Sequence, residues 1–276
     1  LSQGRDADLL AILKREVEVA EYDDDKIKFL MRAGTLQRDK LDDLEGAIES
    51  FAHVVRIDEM QLQALTALAD LHDMRNDFEP LFRTLSLLSD MAQTGEERAA
   101  LQRRLAIIAE EKLGRKDDAL ALWDEVAAAS PTDAGALQQL QRLYRDKEDW
   151  EALIEVCERE INATAPEVDR IVVLLREIGV VGETKLDDPN TAQHAYVRLL
   201  EFAPGDRESL EALRRLYLET GDLESLSGVL EQLYNSEMLS QDEKNEICLE
   251  HAKLLTDELA KPEEAIVWWN LVLIPT

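Results

Sequence analysis

The chain has 276 residues, room for one or two ordinary domains, and its 45% apolar residues suffice for a buried core, which excludes a disordered chain. Aromatics make up only 5%, and 11 Gly and 7 Pro sit against a bulk of Ala, Leu, Glu, Asp and Arg, the composition of long helices. The net charge of −28, from 59 acids and 31 bases, argues against nonspecific attraction to nucleic-acid phosphates or anionic lipid and suits a basic partner. The two cysteines, Cys157 and Cys248, define no disulfide framework. No apolar run nears the roughly 18 residues of a membrane span. The opening LSQGRDAD carries neither an initiator Met nor a signal-peptide pattern, so an excerpt or processed product is expected. Its compartment is unassigned, with the cytoplasm favoured.

The first predicted element is a lone helix near residues 6–20, whose Leu9 aligns with Leu81, Leu153 and Leu226 further along. After it the sequence echoes itself every 72 or 73 residues, and such periods are the mark of repeat architectures. Ala47, Ala119, Ala192 and Ala265 coincide; four residues on come Phe51, Trp123, Tyr196 and Trp269, and three further on Val54, Val126, Leu199 and Val272. Leu65, Leu68, Leu71 and His72 then match Leu137, Leu140, Leu143 and Tyr144, and again Leu210, Leu213, Leu216 and Tyr217. Next come DFEPL at 77–81, DWEAL at 149–153 and DLESL at 222–226. Each of these is expected to start a helix, with Asp77, Asp149 and Asp222 as N-caps, Glu at the positive end of the helix dipole, and Trp150 wedged beneath the turn.

Apolar residues recur at three and four throughout, the helical period, and never alternate as in a strand. Short punctuators separate the runs: Leu113-Gly114-Arg115, Ser130 to Asp133, Ala203 to Asp206, and Thr220-Gly221-Asp222. The acidic pairs Asp42-Asp43, Asp117-Asp118, Asp187-Asp188 and Glu263-Glu264 fall in turns or first helical turns, where carboxylates complement the helix dipole. Each period therefore holds two helix pairs. The expected organisation is one domain over 1–276: a half repeat at 1–24, then repeats near 26–61, 62–97, 98–133, 134–170, 171–206, 207–243 and 244–276. A small Ala one turn before a large ring lets two helices approach while the ring fills the space beside them.

These columns resemble the tetratricopeptide repeat (TPR) family, in the manner of bacterial tandem-repeat proteins. Ala119, Trp123 and Pro131, and likewise Ala192, Tyr196 and Pro204, fit its small, aromatic, proline spacing, and Leu137, Leu140 and Tyr144 fit its first helix. The chain departs from the family in three ways. Its units average about 36 residues rather than about 34, Glu59 stands in the proline position, and His72 replaces the tyrosine. The resemblance implies an all-α, right-handed α-solenoid, a superhelix of about seven antiparallel helix pairs plus one N-terminal helix, with a concave wall that binds an extended peptide or a partner helix.

No nucleotide-binding loop occurs among the scattered glycines. Cys248 and His251 lie three apart on one helix face, but no further ligands are placed to complete a zinc site. No base is placed beside either cysteine, and carboxylates are too abundant for spacing to single out a catalytic pair. The expectation is a non-enzyme with no cofactor and no metal.

Carried over from the family, the wall's exposed side is expected at Thr66, Asp70 and Asp73, then Gln138, Arg142 and Arg145, then Glu211, Arg215 and Leu218. Between them the longer helices would present Leu30 and Gly34, Ala106 and Ala109, Leu175 and Gly179, and Cys248 and Ala252. Under one reading Arg142 and Arg215 anchor a ligand's carboxylates or carbonyls while Leu175 accepts an apolar side chain. Under the other the apolar residues are core, and the arginines pair with Asp146 and Glu219. The family's specialisation for acidic chaperone tails is excluded by Gly34 and Ala106 where an amide is needed, and by the charge.

The function expected is a protein-interaction scaffold, part of a larger repeat protein, for a protein or peptide of basic or amphipathic character. Neither nucleic acid nor membrane insertion is expected. The alternatives are self-assembly through uncovered ends, where Trp268 in VWWNLVLIPT is the candidate contact, and a regulatory module attached to a domain outside these residues. No DNA-binding helix-turn-helix, as found in peptide-pheromone receptors built on such repeats, is visible.

Overall fold

The structure, a computed structural model, describes residues 2–164, 167–236 and 239–273, and within them the chain forms fifteen α-helices and no strand. Leu1 of the predicted half repeat and residues 274–276 of the apolar C-terminal stretch lie outside the described residues. The helices are α1 (Ser2–Val19), α2 (Asp23–Asp39), α3 (Leu44–Ile57), α4 (Leu62–Arg75), α5 (Phe78–Met91), α6 (Gly95–Glu111), α7 (Lys116–Ala129) and α8 (Ala134–Lys147). There follow α9 (Trp150–Thr164), α10 (Val168–Thr184), α11 (Pro189–Phe202), α12 (Arg207–Thr220), α13 (Leu223–Tyr234), α14 (Gln241–Lys253), which runs into a π-helical stretch at Leu254–Glu258, and α15 (Pro262–Leu273). Two compact units are present, and the division between them falls within α8, after Gln139.

In the first unit each helix packs on the next, and Leu30, Phe51, Val54 and Leu71 fill the space around α2 to α4. Leu81, Leu85, Leu105 and Ile108 do the same between α5 and α6. Asp73 on α4 pairs with Arg104 on α6 at 3.0 Å, and Glu79 on α5 reaches Arg115 at the start of α7 at 2.8 Å. Even-numbered helices thus neighbour even-numbered ones and odd neighbour odd, which makes two layers.

The second unit repeats the scheme. Its cores are built on Leu153, Leu174, Ile178 and Leu199, and on Tyr196, Leu213, Leu226 and Leu230. Arg145 on α8 meets Glu177 on α10, and Arg176 on α10 meets Asp206 before α12 at 2.5 Å, tying the even layer. Arg198 on α11 binds Glu158 on α9 at 2.5 Å, and Lys261 before α15 binds Glu224 on α13 at 2.7 Å, tying the odd layer.

What sets the pairs is legible in the backbone. A left-handed residue stands in every even-to-odd turn: Asp42, Asn76, Gly114, Glu148, Asp187, Gly221 and Ala260. Side chains resist this conformation, so its recurrence marks a required geometry. Two turn types alternate. After α4, α8 and α12 the amides of Asp77, Asp149 and Asp222 donate to carbonyls five residues back, on His72, Tyr144 and Tyr217. After α2, α6, α10 and the π-helical stretch, Asp43, Arg115, Asp188 and Lys261 donate six residues back. The helices α2, α6 and α10 have 17 residues, whereas α4, α8 and α12 have 14. The average of about 36 is therefore a blend: successive left-handed residues stand alternately 34 and 38 or 39 apart.

N-caps follow the sequence with one exception. Asp149 accepts from the Ala152 amide at 3.3 Å and Asp222 from that of Ser225 at 3.2 Å. Asp77 makes no cap bond; its carboxylate turns to Arg75 at 3.1 Å, because α4 ends on an arginine that the other copies lack. Trp150 packs on the core below it while Lys185 lies over its ring at 5.1 Å, and Phe78 and Lys112 repeat that contact at 5.6 Å.

Candidate partner-binding face

The closest backbone approaches decide which face is free. A Cβ added to Gly34 would meet the Phe51 ring at 2.8 Å, and one added to Gly179 would meet the Tyr196 ring at 2.6 Å. Ala106 and Ala252 hold the same position before Trp123 and Trp269, 17 residues ahead of the ring in every copy, and both are fully buried. Small residues on the long helices are small because an aromatic from the next helix lies on them. The fold is that of a TPR-like helical repeat.

No family model matches the sequence, and no curated protein matches it. Among solved structures, a tetratricopeptide repeat protein from Parabacteroides merdae is similar over 90% of this chain and 92% of its own, at 16% identity and a TM-score of 0.37. YrrB, a TPR protein with an unusual peptide-binding site, matches 63% of this chain and 84% of its own at 16% identity and a TM-score of 0.36. A structure of Naa15/Naa10 bound to HypK-THB matches over 98% of this chain and 43% of that one, at 15% identity and a TM-score of 0.46. At these identities and TM-scores the likenesses carry nothing about function.

The TPR-like packing overturns part of the expected wall. Leu175 is buried, as are Leu30, Gly34, Ala106, Ala109, Gly179, Cys248 and Ala252, so none can receive a ligand side chain. On α10 the solvent instead meets Val173 (53% exposed), Val180 (45%) and, between them, Arg176 and Glu177. The signal was present in the register, since Ile107 stands where Val180 does one period later and is also exposed. On the 14-residue helices the expected positions are outward-facing: Thr66, Asp70, Asp73, Gln138, Arg145, Arg215 and Leu218 are exposed, and Arg142 and Glu211 are half-buried.

Most of the expected charges have partners. Arg142 lies 3.8 Å from Asp146, Arg145 donates to Glu177 at 3.0 Å, and Arg215 donates across to Glu183 on α10 at 3.0 Å rather than to Glu219. Arg214, one residue earlier, is held by Glu211 and Glu250. Asp73 with Arg104 occupies the places of Arg145 with Glu177 one period on, so the same pair is written with its signs exchanged. Arg207 bonds Glu243 at 2.6 Å, and with the Ser240 backbone and hydroxyl it holds that carboxyl down at about 2. Burial works against the Asp133 charge, but Arg103 and the Ala136 and Gly135 amides outweigh it and lower its pKa.

This neutralisation leaves an uneven distribution. The even-numbered helices carry 21 acids and 18 bases, the odd-numbered ones 21 acids and only 8 bases. The excess negative charge therefore sits on the odd layer and in the turns.

Between α8, α9 and α10 lies a polar cluster that sequence reasoning missed. Glu160 is 2% exposed and accepts from Gln141 Nε2 at 2.6 Å and from Arg170 Nε and Nη2 at 2.8 and 2.9 Å; Arg170 also donates to Gln141 Oε1 at 3.0 Å. The hydrogen bond to Glu160 raises the Arg170 pKa. Nearby, burial pushes the Cys157 thiol up to about 12, with Glu177 and Glu160 adding to it. The other copies place Leu88 and Leu233 where Glu160 sits, which was the available clue.

At the other end of this unit, Trp268 is not the uncovered ring expected. It is half-buried, edge-on to Tyr234 at 5.2 Å and tilted on His251 at 4.3 Å, in the column of Ser50, Leu122 and Ala195. His251 meets Ser227 Oγ at 2.7 Å through Nε2, its Nδ1 has no hydrogen-bond partner among the described residues, and burial lowers its pKa. Trp269 is half-buried too, donating to Thr256 Oγ1 at 3.4 Å as Tyr196 reaches Glu183 one period earlier. Among the described residues no group of three or more His, Cys, Asp or Glu side chains could hold a metal, and no helix is long and apolar enough to cross a membrane.

Proposed function

We propose that this chain is a non-enzymatic protein-interaction scaffold, a single array of repeats whose even-numbered helices present the partner-binding face. The observation that supports it is the outward stripe of α10 and α12, where Val173, Val180 and Leu218 remain exposed among ion-paired arginines and carboxylates. Apolar contacts set between charge pairs that a partner can exchange are the ordinary makeup of a protein-binding surface. Arg142, Arg145, Glu211 and Arg215 in the second unit, and Thr66, Asp70 and Asp73 in the first, are the polar contacts of this reading; Gln138 lies on the same outward side of α8. The partner is a peptide or protein of basic or amphipathic character.

The test is affinity capture from the source lysate with the wild-type chain and with the double variant Val173→Glu, Val180→Glu. Both valines are half exposed, so the variant is expected to fold. Loss of a specifically captured protein supports the reading; capture that is unchanged removes the even layer as the site. A second reading, self-association, is favoured by Ile266 and Val267 on α15, 58% and 59% exposed. It requires a mass that rises with concentration and falls back in Ile266→Glu, Val267→Glu.

A further inference from the structure

The second unit holds a cavity of about 650 Å³ that opens on the odd layer between α11 and α13. Leu213 and Tyr217 of α12 form its floor, and Val197, Leu200 and Val229 its apolar walls. Gly228 keeps it open. A Cβ there would meet nothing within 4 Å, and its backbone is ordinary helix, so neither packing nor conformation calls for glycine. Glycine in mid-helix only weakens the helix. The earlier copies carry Arg83 and Glu155 at this position, and Asp124 where Val197 is 42% exposed. With glycine here, no side chain from this position reaches over the groove.

Charge indicates the occupant. The sole base on α11 and α13, Arg198, is engaged by Glu158, and Glu224 is engaged by Lys261. That leaves Glu201, which lines the cavity, and Glu231, which lies outside the lining on the side of His251, without a salt bridge among the described residues. We infer that this groove is a second docking site, separate from the even-layer face, for a basic amphipathic segment of another protein that seats an apolar side chain over Gly228 and sets Lys or Arg beside Glu201 and Glu231.

The probe is a labelled synthetic helix with leucines at i, i+3, i+4 and i+7 and lysines elsewhere, titrated by fluorescence anisotropy at physiological ionic strength. Gly228→Arg, which restores the residue type of Arg83, is expected to weaken binding at least about tenfold, the worth of one buried apolar anchor. Glu201→Lys with Glu231→Lys should do the same by reversing the charge. A probe with serines for leucines should lose binding to the wild type. The inference is overturned if the wild type does not bind, if Gly228→Arg binds as well while its helical signal and melting are intact, or if the serine probe binds equally through charge alone.

Discussion

Replacing Glu160 by leucine inserts the residue found at Leu88 and Leu233 into a site 2% exposed. Burying the new side chain contributes about 2 kcal/mol. Against it stand the loss of the buried carboxylate's bonds to Gln141 and Arg170, and a Gln141 amide, 4% exposed, left without its acceptor at a cost of about 1–3 kcal/mol. Breaking a fully buried ion pair costs about 3–5 kcal/mol. Arg170 is 34% exposed and can turn to water, so its share is smaller. The net expectation is a loss of about 1–3 kcal/mol. Adding Gln141→Ala and Arg170→Glu completes the set that Ala69, Leu88 and Glu97 form one period earlier, and stability should return to within about 1 kcal/mol of wild type. Urea unfolding gives the totals, and amide exchange in α9 and α10 locates the change. A Glu160→Leu chain as stable as wild type, or a triple variant no better than the single one, would refute the reasoning.

Three further outcomes are expected. Glu148 holds the left-handed position that Asn76 and Gly221 hold in the neighbouring copies, so Glu148→Gly should stabilise by about 0.5–1 kcal/mol in urea unfolding. His251 stays neutral when folded because burial lowers its pKa, whereas the unfolded chain takes up the proton near pH ~6.5. The unfolded state then binds more protons, and stability falls as pH drops through that value. The stability of His251→Leu relative to wild type should therefore improve between about pH 7 and 5, and a pH-independent difference would count against this assignment. Cys157, buried with its thiol pushed up to about 12, should resist iodoacetamide at pH ~8 in the native chain and react once unfolded in urea, as mass spectrometry would show.

The helices and their pairing were legible in the sequence because the columns Ala47, Ala119, Ala192, Ala265 and Phe51, Trp123, Tyr196, Trp269 record the inter-helix seam directly. The exposed stripe of the long helices was not. Leu175 and Gly179 look like a ligand surface until the ring of Tyr196 is placed on Gly179, and periodicity alone does not say which of two adjacent apolar residues turns inward. Trp268 and Trp269 show the same ambiguity. Arg215 chose Glu183, 32 residues away, over the nearby Glu219, a choice set by the neighbouring helix and invisible in local spacing. Glu160 was hidden differently: a carboxylate in a leucine column reads as surface until its partners Gln141 and Arg170 are found on two other helices.

The two alternating turn types make the module of this chain four helices long, although its visible motif is two. Cutting at equivalent left-handed residues, such as Gly114 and Asp187, and rejoining would remove one whole module and bring like turns into register. Removing only 34 residues, 43 to 76, would set a long helix where a short one belongs and delete Asp73, the partner of Arg104. Lengthening or trimming this protein by design should therefore proceed in steps of 72 or 73 residues.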